Sequence, residues 1–190
     1  SFLEKEGEMA KVAVVFLYGC DINSPLKWHL DNVVRVGIQR DIKHYILCGG
    51  ESQKSRFPGI TEAQVAYDYL QGRVPFGSKF YLEEESLTTR DNAKNGSRKL
   101  GELDFELGGV SEVCVFVEAL RALKARIHCA HFMPQFFPRS EKNIRFETES
   151  WEQMDPAKEA FATLYDLASL RFPLLANLFN IWRKIRSRFI

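Results

Sequence analysis

Two short stretches of this chain are apolar almost without interruption, and they restrict its fold more than any other feature. They are Val12-Ala13-Val14-Val15-Phe16-Leu17 and Val113-Cys114-Val115-Phe116-Val117. A strand with one wet face alternates apolar and polar residues. A strand covered on both faces does not, and such strands belong to parallel sheets flanked by helices. Around these runs the strand candidates are Lys11–Tyr18, His44–Cys48, Lys79–Leu82, Glu112–Val117 and Arg126–Phe132, with Asn143–Thr148 as a last edge strand. Helical patterns near Leu26–Gly37, Thr61–Gly72, Thr89–Leu107 and Ala119–Ala125 lie between them. In the second, Ala63, Val65, Ala66, Tyr69 and Leu70 form an apolar stripe at the 3.6-residue period. Strands alternating with helices predict an α/β protein with a mainly parallel sheet of about five strands.

The 190 residues suit one such domain, residues 1–150, with a helical extension over 151–190 packed on it. The change of character begins near Pro134, where Met133-Pro134-Gln135-Phe136-Phe137-Pro138 reads as a proline-punctuated loop. Asp155-Pro156 is a good helix start, and the chain then reads as helix to its end, broken at Pro173. From Pro173 onward Leu174, Leu175, Leu178, Ile181, Trp182, Ile185 and Phe189 fall at helical spacing beside Arg183, Lys184, Arg186 and Arg188. Such a face packs on its own domain or a sister subunit, or lies on an anionic membrane surface.

Composition narrows the class. Twenty-six basic and 25 acidic residues leave no excess for nucleic acid to read. No stretch approaches the roughly 20 apolar residues of a membrane-spanning helix. Ser1-Phe2-Leu3-Glu4-Lys5-Glu6-Gly7-Glu8 is too acidic for a signal peptide, and a start at Ser1 rather than Met is compatible with a longer parent chain. Cys20, Cys48, Cys114 and Cys129 are far apart and form no CxxC pair, which points to reduced thiols and a cytoplasmic location.

The polar clusters follow the strands, where a parallel sheet binds its ligands. Gly49-Gly50 ends the second strand; the pair is either a plain turn or a place where backbone approaches a ligand. Thr61-Glu62-Ala63-Gln64 has the form of a capping box. Its free amides could equally hold a carboxylate or phosphate, with Glu62 binding an ammonium or a sugar hydroxyl. Ser86-Leu87-Thr88-Thr89-Arg90-Asp91-Asn92 is the most distinctive segment. One hydroxyl can cap the next helix, but Asp91 and Asn92 are poor helix residues that make better sense facing a polar pocket. Glu118 and Arg121 follow the fourth strand, either as ligand contacts or as a surface ion pair worth a few tenths of a kcal/mol. His128 and His131, three apart in a strand, would face opposite ways, so no metal is expected. No nucleophile motif is present, and Cys20 is either a turn residue or a pocket lining.

Taken in order, these motifs resemble the YdcF/SanA/ElyC-like family (domain of unknown function 218) over about residues 11–125. The resemblance rests on the apolar first strand, Gly49-Gly50, Thr61-Glu62-Ala63, Gly72-Arg73-Val74-Pro75, and Glu83 through Asn92 against a Glu-x-x-Ser-x-Asn-Thr-x-Glu-Asn signature. Thr88 stands where the family has asparagine and Asp91 where it has glutamate. Glu118 stands at a histidine position of a His-x-x-Arg-Ala motif, while Arg121 is retained. An arginine of the family's first helix is absent, with His29 its nearest counterpart. The resemblance implies a Rossmann-like three-layer sandwich with C-terminal helices and a polar pocket over the strand ends. One branch of the family is associated with binding S-adenosylmethionine, and membrane-anchored branches with bacterial envelope integrity and antibiotic tolerance.

The leading expectation is a protein binding a small polar ligand, S-adenosylmethionine or another nucleoside-containing molecule. Gly49, Gly50 and Thr61 would receive its anionic part. Glu62 and Asp91 would accept hydrogen bonds from hydroxyls or an ammonium, and Ser86, Thr89 and Asn92 would orient it. Arg121 would pair with a carboxylate or phosphate, with Thr88 and Glu118 as further ligand contacts. The alternatives are a phosphoryl-group hydrolase or transferase on a sugar, nucleotide or envelope precursor, and an envelope-associated interaction protein.

Overall fold

The computed structural model describes residues 9–138 and 143–149, with isolated positions at 160, 163, 164, 168, 171 and 172. Of the helix expected from Asp155 only these isolated positions are described, and the amphipathic helix expected from Pro173 lies outside the described residues. Over the described residues 9–138 and 143–149, five strands and four helices alternate: β1 (Ala10–Phe16), α1 (Ser24–Arg40), β2 (His44–Cys48), α2 (Glu62–Leu70), β3 (Lys79–Glu83), α3 (Thr89–Glu106), β4 (Val110–Glu118), α4 (Ala122–Phe136) and β5 (Ile144–Glu149). A 3-10 turn, Ala119–Arg121, leads from β4 into α4.

The strands form one sheet in the order β3-β2-β1-β4-β5, and every pairing is parallel. Helices cover both faces, so this is a three-layer α/β sandwich of Rossmann-like fold. The apolar run of β1 is divided between the layers by the strand's two-residue period. Ala13, Val15 and Leu17 pack with Leu30 and Val33 of α1 and Ala63 and Ala66 of α2. Val12, Val14 and Phe16 pack with Ala93 and Leu100 of α3 and Cys129 and Phe132 of α4. All six β1-run residues are essentially without solvent exposure. Burying each of the larger ones stabilises the fold by about 1.5–3 kcal/mol.

Local chemistry places the helix ends. Asn23 accepts the Leu26 amide at 3.3 Å, with Pro25 in the first turn of α1. Asp41, at φ 52°, closes α1 in the left-handed conformation, and the Ile42 amide returns to the Gly37 carbonyl at 2.9 Å. Thr61 accepts the Gln64 amide at 3.1 Å and Thr88 the Asp91 amide at 3.0 Å, which starts α2 and α3.

One strand expectation is overturned. Arg126–Phe132 lies inside α4, and the fifth strand is Ile144–Glu149, parallel to β4. The reason is periodicity: the buried positions Ala125, His128, Cys129, Phe132 and Met133 recur every three or four residues, which only a helix keeps on one face. His128 and His131 are accordingly helical neighbours, His128 buried and His131 exposed. The loop expected from Met133 is also helix as far as Phe136, with Pro134 inside it.

Strand order fixes where a ligand would sit. The chain leaves β1 through α1 on one face and reaches β4 through α3 on the other. The carboxyl ends of β1 and β4 therefore flank the crevice of the topological switch point.

Candidate functional site

At the ends of β2 and β3 the polar residues hold each other. The Gly49 amide donates to Glu83 O at 2.9 Å and the Gly50 amide to Ser86 O at 2.7 Å. A Cβ at Gly49 would stand 2.6 Å from a carboxylate oxygen of Glu62, and one at Gly50 would stand 2.6 Å from the Glu84 carbonyl oxygen. Both glycines are thus required by the protein's own close packing. The amides of α2's first turn are also occupied: Glu62 N donates to Gly50 O at 3.1 Å, Ala63 N to Gly49 O at 3.0 Å, and Gln64 N to Thr61. The free amides expected at this helix start are not there. Thr61 donates its hydroxyl to Glu84 at 2.7 Å, and the buried Glu62 accepts the Ser52 hydroxyl.

Glu83, at the end of β3, is buried and bonded on both oxygens. It accepts the Glu85 amide at 3.0 Å, the Asn95 amide group at 3.1 Å and the hydroxyl of Ser86. Burial raises its pKa, and these hydrogen bonds oppose the rise. Ser86 is buried with it and serves that carboxylate.

The switch point is arranged differently. Glu118, fully buried at the end of β4, accepts the Leu120 amide at 2.9 Å and the Arg121 amide at 3.2 Å, and so caps the turn into α4. That turn carries Arg121 across the crevice, where its guanidinium lies 4.0 Å over the centroid of the Tyr18 ring. From α3, the Asn92 carboxamide donates to Leu17 O at 3.4 Å, while its own carbonyl oxygen is buried without a partner. Below, the buried His29 ring lies 3.1 Å from Phe16 O through Nε2. Burial pushes the pKa of His29 down to about 4, so at neutral pH it is an uncharged donor to that carbonyl.

A cavity of about 150 Å³ opens beside Tyr18 at the carboxyl end of β1, lined also by Gly19, Asp21, Asn23 and Gln53. Gln53 accepts the Cys20 amide at 3.3 Å, and Asp21 meets Arg56 at 3.5 Å. The Cys20 thiol is pushed up to about 11, first by burial and then by the Glu62 and Glu51 carboxylates, so it is no nucleophile at neutral pH. Among the described residues no three His, Cys, Asp or Glu side chains stand together as a metal-ligand set.

The residues anticipated from sequence therefore fall into two groups along one edge of the sheet. Gly49, Gly50, Thr61, Glu62 and Ser86 form an internally bonded cluster at β2 and β3. Glu118 and Arg121 line the switch point, and the first turn of α3, with Thr88 as cap and Thr89, Asp91 and Asn92 following, reaches it through Asn92. Tyr18, Gln53, Asn23 and Asp21 were missed. Tyr18 carried a signal, since it closes the apolar run of β1; the others lie in loops whose approach depends on the fold.

Compared with protein-family models, curated proteins and solved structures, the chain matches none.

Proposed function

We propose that this α/β protein binds a small nucleoside-containing ligand, with S-adenosylmethionine the leading candidate, at the carboxyl end of β1. The observation that carries this reading is the cavity at the end of β1, part polar and part apolar, bounded by the Tyr18 ring that Arg121 overlies. An aromatic face beside carboxylate, amide and carboxamide groups suits a flat base and a hydroxylated sugar. At about 150 Å³ it is smaller than the roughly 300–1,000 Å³ of a whole ligand site, so it would take one end of the molecule.

The β1–α1 connection argues against a dinucleotide. A pyrophosphate needs glycines and free amides at that helix start. Here Asn23 caps α1, Pro25 offers no N–H, and Asp21 brings a negative charge. A nucleoside without phosphates on that side meets none of these obstacles. The resemblance to the YdcF/SanA/ElyC-like family agrees with this ligand class, and four free, buried thiols agree with the reducing cytoplasm. No helix among the described residues is long and apolar enough to cross a membrane.

The phosphoryl-transfer reading draws less support, because Glu62, Glu83 and Glu118 all accept hydrogen bonds from their own chain. Calorimetric titration with S-adenosylmethionine tests the proposal. One-site saturable binding is expected, weakened at least tenfold in Tyr18→Ala with the melting temperature checked in parallel. Absence of heat at millimolar ligand would overturn it.

A further inference from the structure

The first turn of α3 combines features that are individually ordinary and jointly unusual. Thr88 satisfies the Asp91 amide, and the Asn92 amide makes the first helical bond, to Thr88 O. The Thr89 and Arg90 amides make no hydrogen bond among the described residues. The same turn carries Arg90, its side chain only 18% exposed and its guanidinium 5.4 Å over the Phe132 ring. Its Nε is shut from solvent with no hydrogen-bond partner, and its ion pair with Asp91 spans 4.0 Å. A cation at a helix amino terminus opposes the helix dipole, so amides and guanidinium together call for an anion.

One turn along, the demand reverses. Asn92 is 2% exposed, and its carboxamide is tied to the end of β1 through Leu17 O. Its carbonyl oxygen has no donor, a costly condition for a buried acceptor. A phosphate dianion would satisfy the first set of groups and be repelled by that oxygen. A zwitterion satisfies both.

We infer that the amino terminus of α3 seats the α-amino-acid group of the ligand, its carboxylate on the Thr89 and Arg90 amides and guanidinium, its ammonium on the Asn92 carbonyl oxygen. This deepens the reading above and rests on its placement of the ligand at this edge of the sheet. The test is a set of calorimetric titrations with S-adenosylmethionine, S-adenosylhomocysteine, 5′-methylthioadenosine and free methionine. The first two should bind at least tenfold more tightly than methylthioadenosine, which lacks the amino-acid group. Arg90→Gln, folded by its melting temperature, should abolish that ratio while leaving methylthioadenosine affinity unchanged. Equal affinities for all three nucleosides, or an unchanged ratio in Arg90→Gln, would overturn the amino-acid seat and leave the nucleoside reading standing. Binding of methionine with no binding of methylthioadenosine would keep the seat and remove the nucleoside. No heat with any of the four would remove both.

Discussion

At the scale of single residues, the carboxyl edge of the sheet is governed by how buried charge is satisfied. Glu62, Glu83 and Glu118 are each at most 4% exposed. A carboxylate taken from water needs donors close by or it takes up a proton. Here the donors are hydroxyls and backbone amides of the same chain. Glu83 gives the clearest consequence. Its folded pKa is raised above 4.5, so the folded state holds the proton more tightly than the unfolded state. Stability on this account is greatest below the unfolded pKa and falls as pH rises through the folded value. Glu83→Gln keeps an acceptor for the Glu85 amide and Asn95 and removes the ionisation. Its stability relative to the parent should therefore increase with pH from about 4.5 upward and level off above the folded pKa, read from denaturation midpoints between about pH 3.5 and 8. A parallel pair of curves would count against the assignment.

At the scale of elements, α3 is set apart by how closely it packs. A Cβ on Gly101 would overlap the Phe136 carbonyl oxygen and stand 2.9 Å from its carbon, so α3 and α4 touch backbone to side there. Gly96 similarly faces Cys48 and Val14 of the sheet. Glycine inside a helix costs up to about 1 kcal/mol relative to alanine, and these contacts leave little or no room for a larger residue at either position. Gly101→Ala should destabilise the protein by about 1–3 kcal/mol despite the better helix propensity, because the obstacle is backbone that cannot rotate away. A gain in stability on chemical denaturation would show that the two helices separate without cost. Close seating of α3 also sets the position of its first turn, with Asn92 against the end of β1.

At the scale of the whole molecule, strand order decides where loops meet. Because β1 and β4 are neighbours, the segments after them face each other, and Arg121 reaches Tyr18. A ligand bound there stabilises only the assembled sheet. At a concentration of 100 times its Kd, S-adenosylmethionine should add about 2.7 kcal/mol. For a chain of this length that corresponds to a rise of roughly 5–10 °C in Tm, measurable by thermal denaturation. An unchanged Tm at that saturation would mean that binding does not depend on the folded crevice.

Much of this architecture was legible before any coordinates. The apolar runs of β1 and β4, the cap at Thr61 and the stripe of α2 are local patterns, and a local pattern records which faces must leave water. The same logic failed at Arg126–Phe132, where a short apolar stretch was read with the strand period although its buried positions keep the helical one. Other features had no local record. The sheet order, the filling of the space beside Gly49 by Glu62, and the meeting of Arg121 with Tyr18 all depend on segments distant in sequence. Periodicity is set by neighbours along the chain, so sequence alone determined the layers. The partner of a buried polar group is set by whichever segment packing brings within hydrogen-bond reach, so only the tertiary structure decided the site.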